Sequence, residues 1–208
     1  MMKKRLSRQD RRDLLLDAAV DLIRLEGCDA LTLGKLARHA DISKPVVYDH
    51  FGTREGLLIE LCTMFDERQR SEIKVIADDG TLTLGELLSG IARCYIASET
   101  ARDWQMLNTA MAGNMMTEGT YVEMADRHIA LLISAFTART GLAESHLRIV
   151  CAGLIGAADA VTAVMLRGDS TIDECAAALI QIFHGAFPGQ LDRMPQAPAG
   201  TTSDFAVS

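Results

Sequence analysis

The chain has 208 residues, of which 49% are hydrophobic and 24% are charged, and its formal net charge at pH 7 is −7. This composition supplies a hydrophobic core and excludes an intrinsically disordered chain. Asp159 interrupts the longest apolar stretch (149–166), and the charged N-terminus lacks the apolar segment of a secretion signal, so we expect neither a membrane span nor export. The five cysteines are scattered without a C-x-x-C motif, which fits a cytoplasmic protein without disulfides.

Positive charge is concentrated at the N-terminal end of this acidic chain. Residues 1–54 hold 11 Lys and Arg against 8 Asp and Glu, whereas the remainder holds 10 against 20. Such asymmetry indicates a polyanionic partner for one end of the molecule, or else only a solvated, flexible arm. The first twelve residues alone contain Lys3, Lys4, Arg5, Arg8, Arg11 and Arg12.

All the predicted elements are helices. No proline occurs between residues 46 and 187, and no alternating β-branched run indicates a strand. Capping boxes of the form T-x-x-E begin at Thr83, Thr120 and Thr171. Helix ends are marked by Gly27, Gly80, Gly141 and Gly168. The sequence therefore predicts an all-α fold of about nine helices, near 7–26, 33–40, 44–51, 54–77, 83–98, 101–115, 120–140, 143–167 and 171–187.

The segment 32–51 has the spacing of a helix-turn-helix. Thr32 is placed to cap a short helix (33–40), and Asp41 follows at a turn that needs a left-handed residue, a conformation that Asp tolerates better than most. Ser43 is placed to cap the next helix (44–51), with Pro45 in its first turn, where a missing N–H costs nothing. Two short helices joined by a three-residue turn are typical of this motif.

The second of these helices would enter the major groove of DNA. Lys44 could donate to guanine, Pro45 and Val46 could contact thymine methyl groups, and hydroxyl or imidazole groups could donate to phosphates. Helix N-termini also favour phosphates. The alternative is a helical hairpin of the same shape that binds no DNA. The predicted DNA-binding residues are Thr32, Ser43, Lys44, Pro45, Val46, Tyr48, His50, Thr53 and Arg54.

Residues 12–61 resemble the DNA-binding region of the tetracycline-repressor (TetR) family. Three positions differ from the common pattern: Asp41 stands where Gly is usual, Pro45 where Gly or Ala is frequent, and Arg54 where Lys is commoner. The resemblance implies a three-helix DNA-binding domain (1–52, with its basic arm) and an all-helical ligand-binding and dimerisation domain (53–187). The segment 188–208 is rich in Pro, Gly, Ala, Ser and Thr, which indicates a flexible tail. The resemblance is carried by Ala18-Ala19, Gly27, Leu31-Thr32, Leu36-Ala37, Ile42-Ser43, Val47-Tyr48, His50-Phe51, Arg54-Glu55 and Leu57.

The last two predicted helices carry apolar residues at alternating spacings of three and four. This 3.5-residue repeat favours packing between helices, either across a two-fold axis or onto the subunit's own core. The resemblance favours a homodimer, and an inverted-repeat operator would follow. Another face of the first of these helices holds small residues (Gly153, Gly156, Ala157, Ala160 and Ala163). The predicted dimer-interface residues are Leu147, Cys151, Leu154, Ala158, Val161, Ile172, Cys175, Leu179 and Ile182.

Methionines cluster in the middle of the chain, and flexible, polarisable Met side chains suit varied apolar ligands. The resemblance implies a pocket between the fourth and eighth predicted helices, which would take a small apolar effector of unknown identity. The alternative for each residue is an ordinary core position. The candidate pocket residues are Trp104, Met106, Met111, Met115, Phe136 and Met165.

We find no motif of a catalytic, metal or cofactor site. The five histidines form no i, i+3 or i, i+4 pair, so we expect no enzyme activity, metal or cofactor. Asp159 could face the pocket, pair across the dimer or be solvated. We expect a cytoplasmic, ligand-responsive, homodimeric transcriptional regulator, a repressor by analogy with the family. The alternatives are a small-molecule-binding or enzymatic helical protein with an inert front end, and a DNA-binding protein without a ligand.

Overall fold

The computed structural model describes residues 7–98, 101, 103, 107 and 118–195. These residues form eight α-helices and one short 3-10 helix, and no strand occurs among them. Ala101, Asp103 and Leu107 are also helical, within the predicted helix 101–115. The predicted all-α fold is thus confirmed. The helices are α1 (Arg8–Glu26), α2 (Leu33–His39), α3 (Lys44–Phe51), α4 (Arg54–Ala77), α5 (Leu84–Ala97), α6 (Glu118–Thr140), α7 (Glu144–Leu166) and α8 (Ile172–Gly185), with the 3-10 helix at Cys28–Ala30.

Local capping patterns located most of the helix boundaries. At the start of α5, the Thr83 N–H donates to Glu86 Oε2 at 2.8 Å, and the Glu86 N–H donates to Thr83 Oγ1 at 3.2 Å. Thr171 and Glu174 form the same reciprocal cap at α8. The predicted cap at Thr120 is wrong, because α6 already includes that residue. A left-handed φ follows three predicted helix ends, at Gly27, Gly141 and Gly168, whereas Gly80 does not have one.

The chain divides into two compact units, and the first contains residues up to Gln69 together with residues 98–121. Its buried apolar side chains come mainly from α1 to α4, such as Leu22, Val47 and Phe65, and Leu107 from the second stretch is buried as well. Arg24 of α1 donates to both carboxylate oxygens of the buried Asp103, at 2.8 and 2.6 Å. This bidentate bond joins two stretches of chain that are distant in sequence. The unit therefore extends well past residue 52, where we predicted a domain boundary.

The second unit contains residues 70–97 and the chain from residue 122 onward. Its core is built mainly from α5 to α8, and Phe187, just after α8, packs edge to face on Phe136 at a ring separation of 5.3 Å. Arg139 of α6 is buried and donates to the carbonyl oxygens of Asp79 at 2.8 Å and Leu82 at 3.3 Å. That guanidinium holds the connection between α4 and α5 against α6.

The apolar repeats of α7 and α8 mostly face the core of their own subunit, so the predicted dimer surface is wrong for six of its nine residues. These six are 3% exposed or less, because α5 and α6 supply the partners that we had assigned to a second copy. Val161 is half-buried against the same core, and Ile172 and Ile182 are exposed. The six buried residues are Leu147, Cys151, Leu154, Ala158, Cys175 and Leu179.

The opposite face of α7 is apolar and exposed. Ile149 is 75% exposed, and a Cβ added at Gly153 or Gly156 would meet no atom within 4 Å. Among the described residues, α7 is also the one helix that is long and apolar enough to cross a membrane. Only 17% of its most apolar stretch is buried within the subunit. Large apolar patches are uncommon on free protein surfaces, which makes this face of α7 a candidate interaction surface.

The residues that follow α8 are not a free tail up to residue 195. The first backbone N–H groups of α5, from Leu84 and Gly85, donate to the carbonyl oxygens of Arg193 and Leu191, both at 2.8 Å. The Arg193 guanidinium donates to the Thr140 carbonyl oxygen at the end of α6, at 2.9 Å. We call residues 186–195 the C-terminal strap. The predicted flexible tail is thus wrong for residues 188–195, and residues 196–208 lie outside the described residues.

Candidate nucleic-acid interface

The helix-turn-helix is formed as the local sequence predicts. Thr32 accepts a hydrogen bond from the Lys35 N–H at 3.1 Å and so caps α2. Asp41 adopts a left-handed φ of 53° in the turn. Ser43 occupies the N-cap position of α3 but makes no capping hydrogen bond. Ser43 is exposed, as is Pro45 in the first turn of the helix. The turn therefore fixes α3 against α2 and leaves a polar N-terminus at the surface.

The predicted inward and outward faces of α3 are confirmed, with one difference. Val47 and Phe51 are buried, at 0% and 6% exposure, and they anchor the helix in the unit's core. Lys44, Pro45 and Tyr48 are exposed, and the end of the Lys44 side chain passes over Gly34 of α2. Val46 and His50 are half-buried, so they offer less surface than we predicted.

Positive charge from α1 lies beside α3. The side chain of Arg8 approaches Asp49, with its Nη2 3.6 Å from Asp49 Oδ2 and 3.4 Å from the backbone oxygen. Burial lowers the pKa of His50, and the nearby guanidinium groups of Arg8, Arg11 and Arg12 lower it further against the opposing effect of Asp49. His50 is therefore neutral at pH 7, where its imidazole can still donate one N–H to a phosphate.

Two further predicted contact residues lie at the start of α4. The hydroxyl of Thr53 accepts from the Gly56 N–H at 3.0 Å, which makes it a cap at an exposed helix N-terminus. Arg54 is half-buried and donates to the carbonyl oxygens of Leu31 at 2.8 Å and Cys28 at 3.1 Å. Its guanidinium thus ties α4 to the loop before α2, a structural role that sequence reasoning missed. Its contact with phosphate stays a prediction.

The predicted ligand pocket is described only in part, because Trp104, Met106, Met111 and Met115 lie outside the described residues. Phe136 is fully buried in the core of the second unit, and Met165 is partly buried against that core.

The second unit also contains a polar pair that was not predicted. The hydroxyl of Tyr95 is 3.3 Å from Nδ1 of the buried His128, and the Tyr95 ring packs edge to face on Phe183. A hydrogen-bonded pair inside an apolar core is the kind of polar feature that gives a ligand pocket its specificity.

The described residues give no support for metal or thiol chemistry. Within the ranges stated above, no three His, Cys, Asp or Glu side chains are grouped to hold a metal ion. All five cysteines are buried and reduced. Burial raises the pKa of Cys62, Cys94 and Cys151 to about 12, so these thiols are protonated at neutral pH and react slowly.

Comparison with known proteins identifies the helix-turn-helix. Residues 15–61 match the model of the family described as bacterial regulatory proteins, tetR family. The HTH-type transcriptional regulator AlkX of Mycobacterium tuberculosis is 46% identical over 46 residues, which are 22% of this chain and 22% of that protein. This match therefore concerns about a fifth of either chain.

The chain is also similar in fold to solved structures. A TetR-like transcriptional regulator from Rhodococcus sp. RHA1 is 25% identical, with a TM-score of 0.60 over 87% of this chain and 98% of that one. The multidrug binding protein EbrR, complexed with imidazole, is 18% identical, with a TM-score of 0.61 over 92% and 93%.

Proposed function

We propose that this chain, a member of the TetR family of bacterial regulatory proteins, is a transcriptional repressor that binds an inverted-repeat operator as a homodimer and responds to a small apolar ligand. DNA binding is supported above all by the outward surface of α3, where Lys44, Pro45 and Tyr48 are exposed and the arginines of α1 lie nearby. Because its target is chromosomal DNA, the protein acts in the cytoplasm.

The chemistry of this surface suits a major groove flanked by two phosphate backbones. Lys44 is an exposed cation near the start of the helix that enters the groove, where a contact with guanine O6 and N7 is favourable. The hydroxyl of Tyr48 and the imidazole of His50 supply donors for phosphates without adding a full charge. Thr32 and Thr53 stand at exposed N-termini of α2 and α4, where a phosphate is stabilised by the helix dipole.

The homodimer is proposed through the exposed face of α7 together with the exposed residues of α8. Ile149 and the two bare glycine positions of α7 let a second helix approach closely, and Ile172 and Ile182 lie exposed on α8. A second copy offers the same apolar surface, so a two-fold axis would cover both faces at once. This arrangement keeps our expectation of a dimer but moves it to the opposite face of α7.

The proposed ligand response is supported by the fold and by the polar pair in the second unit. EbrR, a protein of similar fold, is described as a multidrug binding protein. In this chain, Tyr95 and His128 place two polar atoms among the apolar side chains of α5, α6 and α8. We propose that a mostly apolar effector binds in this unit and changes DNA affinity, which requires that it bind one conformation better than the other.

The test of DNA binding is fluorescence anisotropy of the full chain on duplex DNA from around its own gene, over a salt series and with scrambled competitor. We expect sub-micromolar binding that resists the competitor and weakens steeply with salt, since phosphate contacts release counterions. Lys44→Glu should abolish this binding. Lys74→Glu is the matched control, because it makes the same charge change on α4, outside the helix-turn-helix.

The outcomes separate the proposal from its rivals. Equal binding to operator and scrambled DNA by a ligand-free, refolded sample would overturn the proposed function and favour an inert front end. A library of apolar compounds, screened by thermal shift, tests the ligand separately. A compound that raises the unfolding temperature and releases the DNA supports the regulatory role, whereas specific DNA binding without any such compound favours a regulator without a ligand.

A further inference from the structure

The centre of the outward surface of α3 is occupied by a carboxylate. An α-helix turns by about 100° per residue, so Asp49, two residues from both Val47 and Phe51, points away from both buried side chains. Its side chain is 73% exposed, and Pro45, one turn earlier, is exposed on the same line. These two side chains offer the groove an apolar ring and an acceptor, and neither can donate a hydrogen bond.

A carboxylate at this position is selective among base edges. Guanine and thymine present acceptors in the major groove, which would repel it, whereas cytosine N4 and adenine N6 are donors. Adenine also places its N7 acceptor next to N6, and cytosine has no acceptor of its own beside N4. Phosphates are anionic and would repel Asp49 as well. Among the groups that DNA offers, the amino group of cytosine therefore suits Asp49 best.

Arg8 places a positive charge next to the Asp49 carboxylate. Its Nη2 lies 3.6 Å from Asp49 Oδ2, and its side chain is 75% exposed. The guanidinium comes from α1, so it reaches the carboxylate from outside α3 and can turn its remaining N–H groups toward a phosphate. It thereby offsets the repulsion between Asp49 and the DNA backbone.

We infer that Asp49 is a specificity-determining residue that accepts a hydrogen bond from the N4 amino group of one cytosine in each half-site. This inference rests on the proposed function, because it concerns the operator that the protein recognises. Arg8 has a different role: its positive charge compensates the negative charge of Asp49, and it contributes DNA affinity that is independent of the base sequence.

The experiment is selection of binding sites from a randomised duplex library by the full-length protein, followed by anisotropy on single-base variants of the selected site. Asp49→Ala and Asp49→Asn are compared with the unaltered chain. Asp21→Asn is the matched control, since it removes the same charge from an exposed position on α1. Circular dichroism melting and binding to unrelated DNA confirm that each variant is folded.

We expect the unaltered chain to prefer cytosine at one position of each half-site by roughly 5- to 150-fold, the range of a good base contact. Asp49→Ala should lose the preference at that position alone and bind unrelated DNA more tightly, because a negative charge is gone. Asp49→Asn should shift the preference toward adenine, which an amide contacts through N6 and N7. The control should select the original site.

An Asp49→Ala protein that selects the same motif with the cytosine preference intact would overturn the inference while leaving the proposed function standing. A change of affinity that is equal on all sequences would overturn it too, because Asp49 would then act only through its charge. If the unaltered chain selects no motif at all, the proposed function itself fails.

Discussion

Replacing Ile149 by Glu should dissociate the proposed dimer, and the exposed face of α7 sets the size of the effect. Burying a whole Ile side chain stabilises by about 1.5 to 3 kcal/mol, and Ile149 is 75% exposed in the single subunit. A second copy that covers it would recover about 1 to 2 kcal/mol per subunit. Because a two-fold interface counts the residue twice, the loss is about 2 to 4 kcal/mol per dimer.

This loss corresponds to a dimer dissociation constant that is raised roughly 30- to 700-fold, and burial of an unpaired glutamate raises it further. Sedimentation velocity over a concentration series from nanomolar to tens of micromolar measures the shift directly. Val75→Glu is the matched control, since Val75 on α4 is also 75% exposed and lies outside the proposed interface. We expect it to leave the dimer unchanged.

The reasoning is refuted if Ile149→Glu remains as dimeric as the unaltered chain while its melting curve shows a folded protein. The exposed face of α7 would then not be the interface. If the unaltered chain is monomeric throughout the concentration range, the homodimer itself is wrong.

Three other substitutions test particular side chains of the helix-turn-helix. Tyr48→Ala should weaken binding to operator and unrelated DNA by similar factors in anisotropy, with little change in salt slope because the phenol is uncharged; a loss confined to the operator would make Tyr48 a base contact. Lys44→Ala should lose discrimination at one position of each half-site in binding-site selection, and an unchanged motif would show a phosphate contact instead. Arg54→Met should lower the free energy of unfolding in urea by about 1 to 3 kcal/mol, because two carbonyl groups lose their donor. The exposed control Arg148→Met should cost at most about 0.5 kcal/mol, and equal losses would contradict the structural role of Arg54.

Features that depend on neighbours in sequence could be predicted well. The caps of α2, α5 and α8 each need only residues three apart, and the turn between α2 and α3 needs one residue that tolerates a left-handed φ. The inward direction of Val47 and Phe51 follows from helical periodicity. These local rules were enough to locate the helix-turn-helix and its exposed side.

Features that join distant stretches of chain could not be predicted. An apolar repeat shows that one side of α7 is buried, but not whether its partner is α5 of the same subunit or a second copy, and Leu154 was therefore assigned to the wrong surface. The bonds from Arg54 to Leu31 and from Tyr95 to His128 cross 23 and 33 residues without a sequence signal. Asp49 was not among the predicted contact residues, which are hydrogen-bond donors and apolar groups, although its exposed position on α3 follows from the same periodicity.

The C-terminal strap has a consequence for how the protein is made. The first two N–H groups of α5 find their acceptors in residues 191 and 193, about a hundred residues later in the chain. The ribosome therefore releases α5 long before residues 191 and 193 are synthesised. Until then, the N-terminus of α5 is capped only by Thr83 and Glu86. A translation product that stops at the end of α8 contains the described helices yet lacks these two bonds, so synthesis must pass residue 193 before the second unit can fold fully.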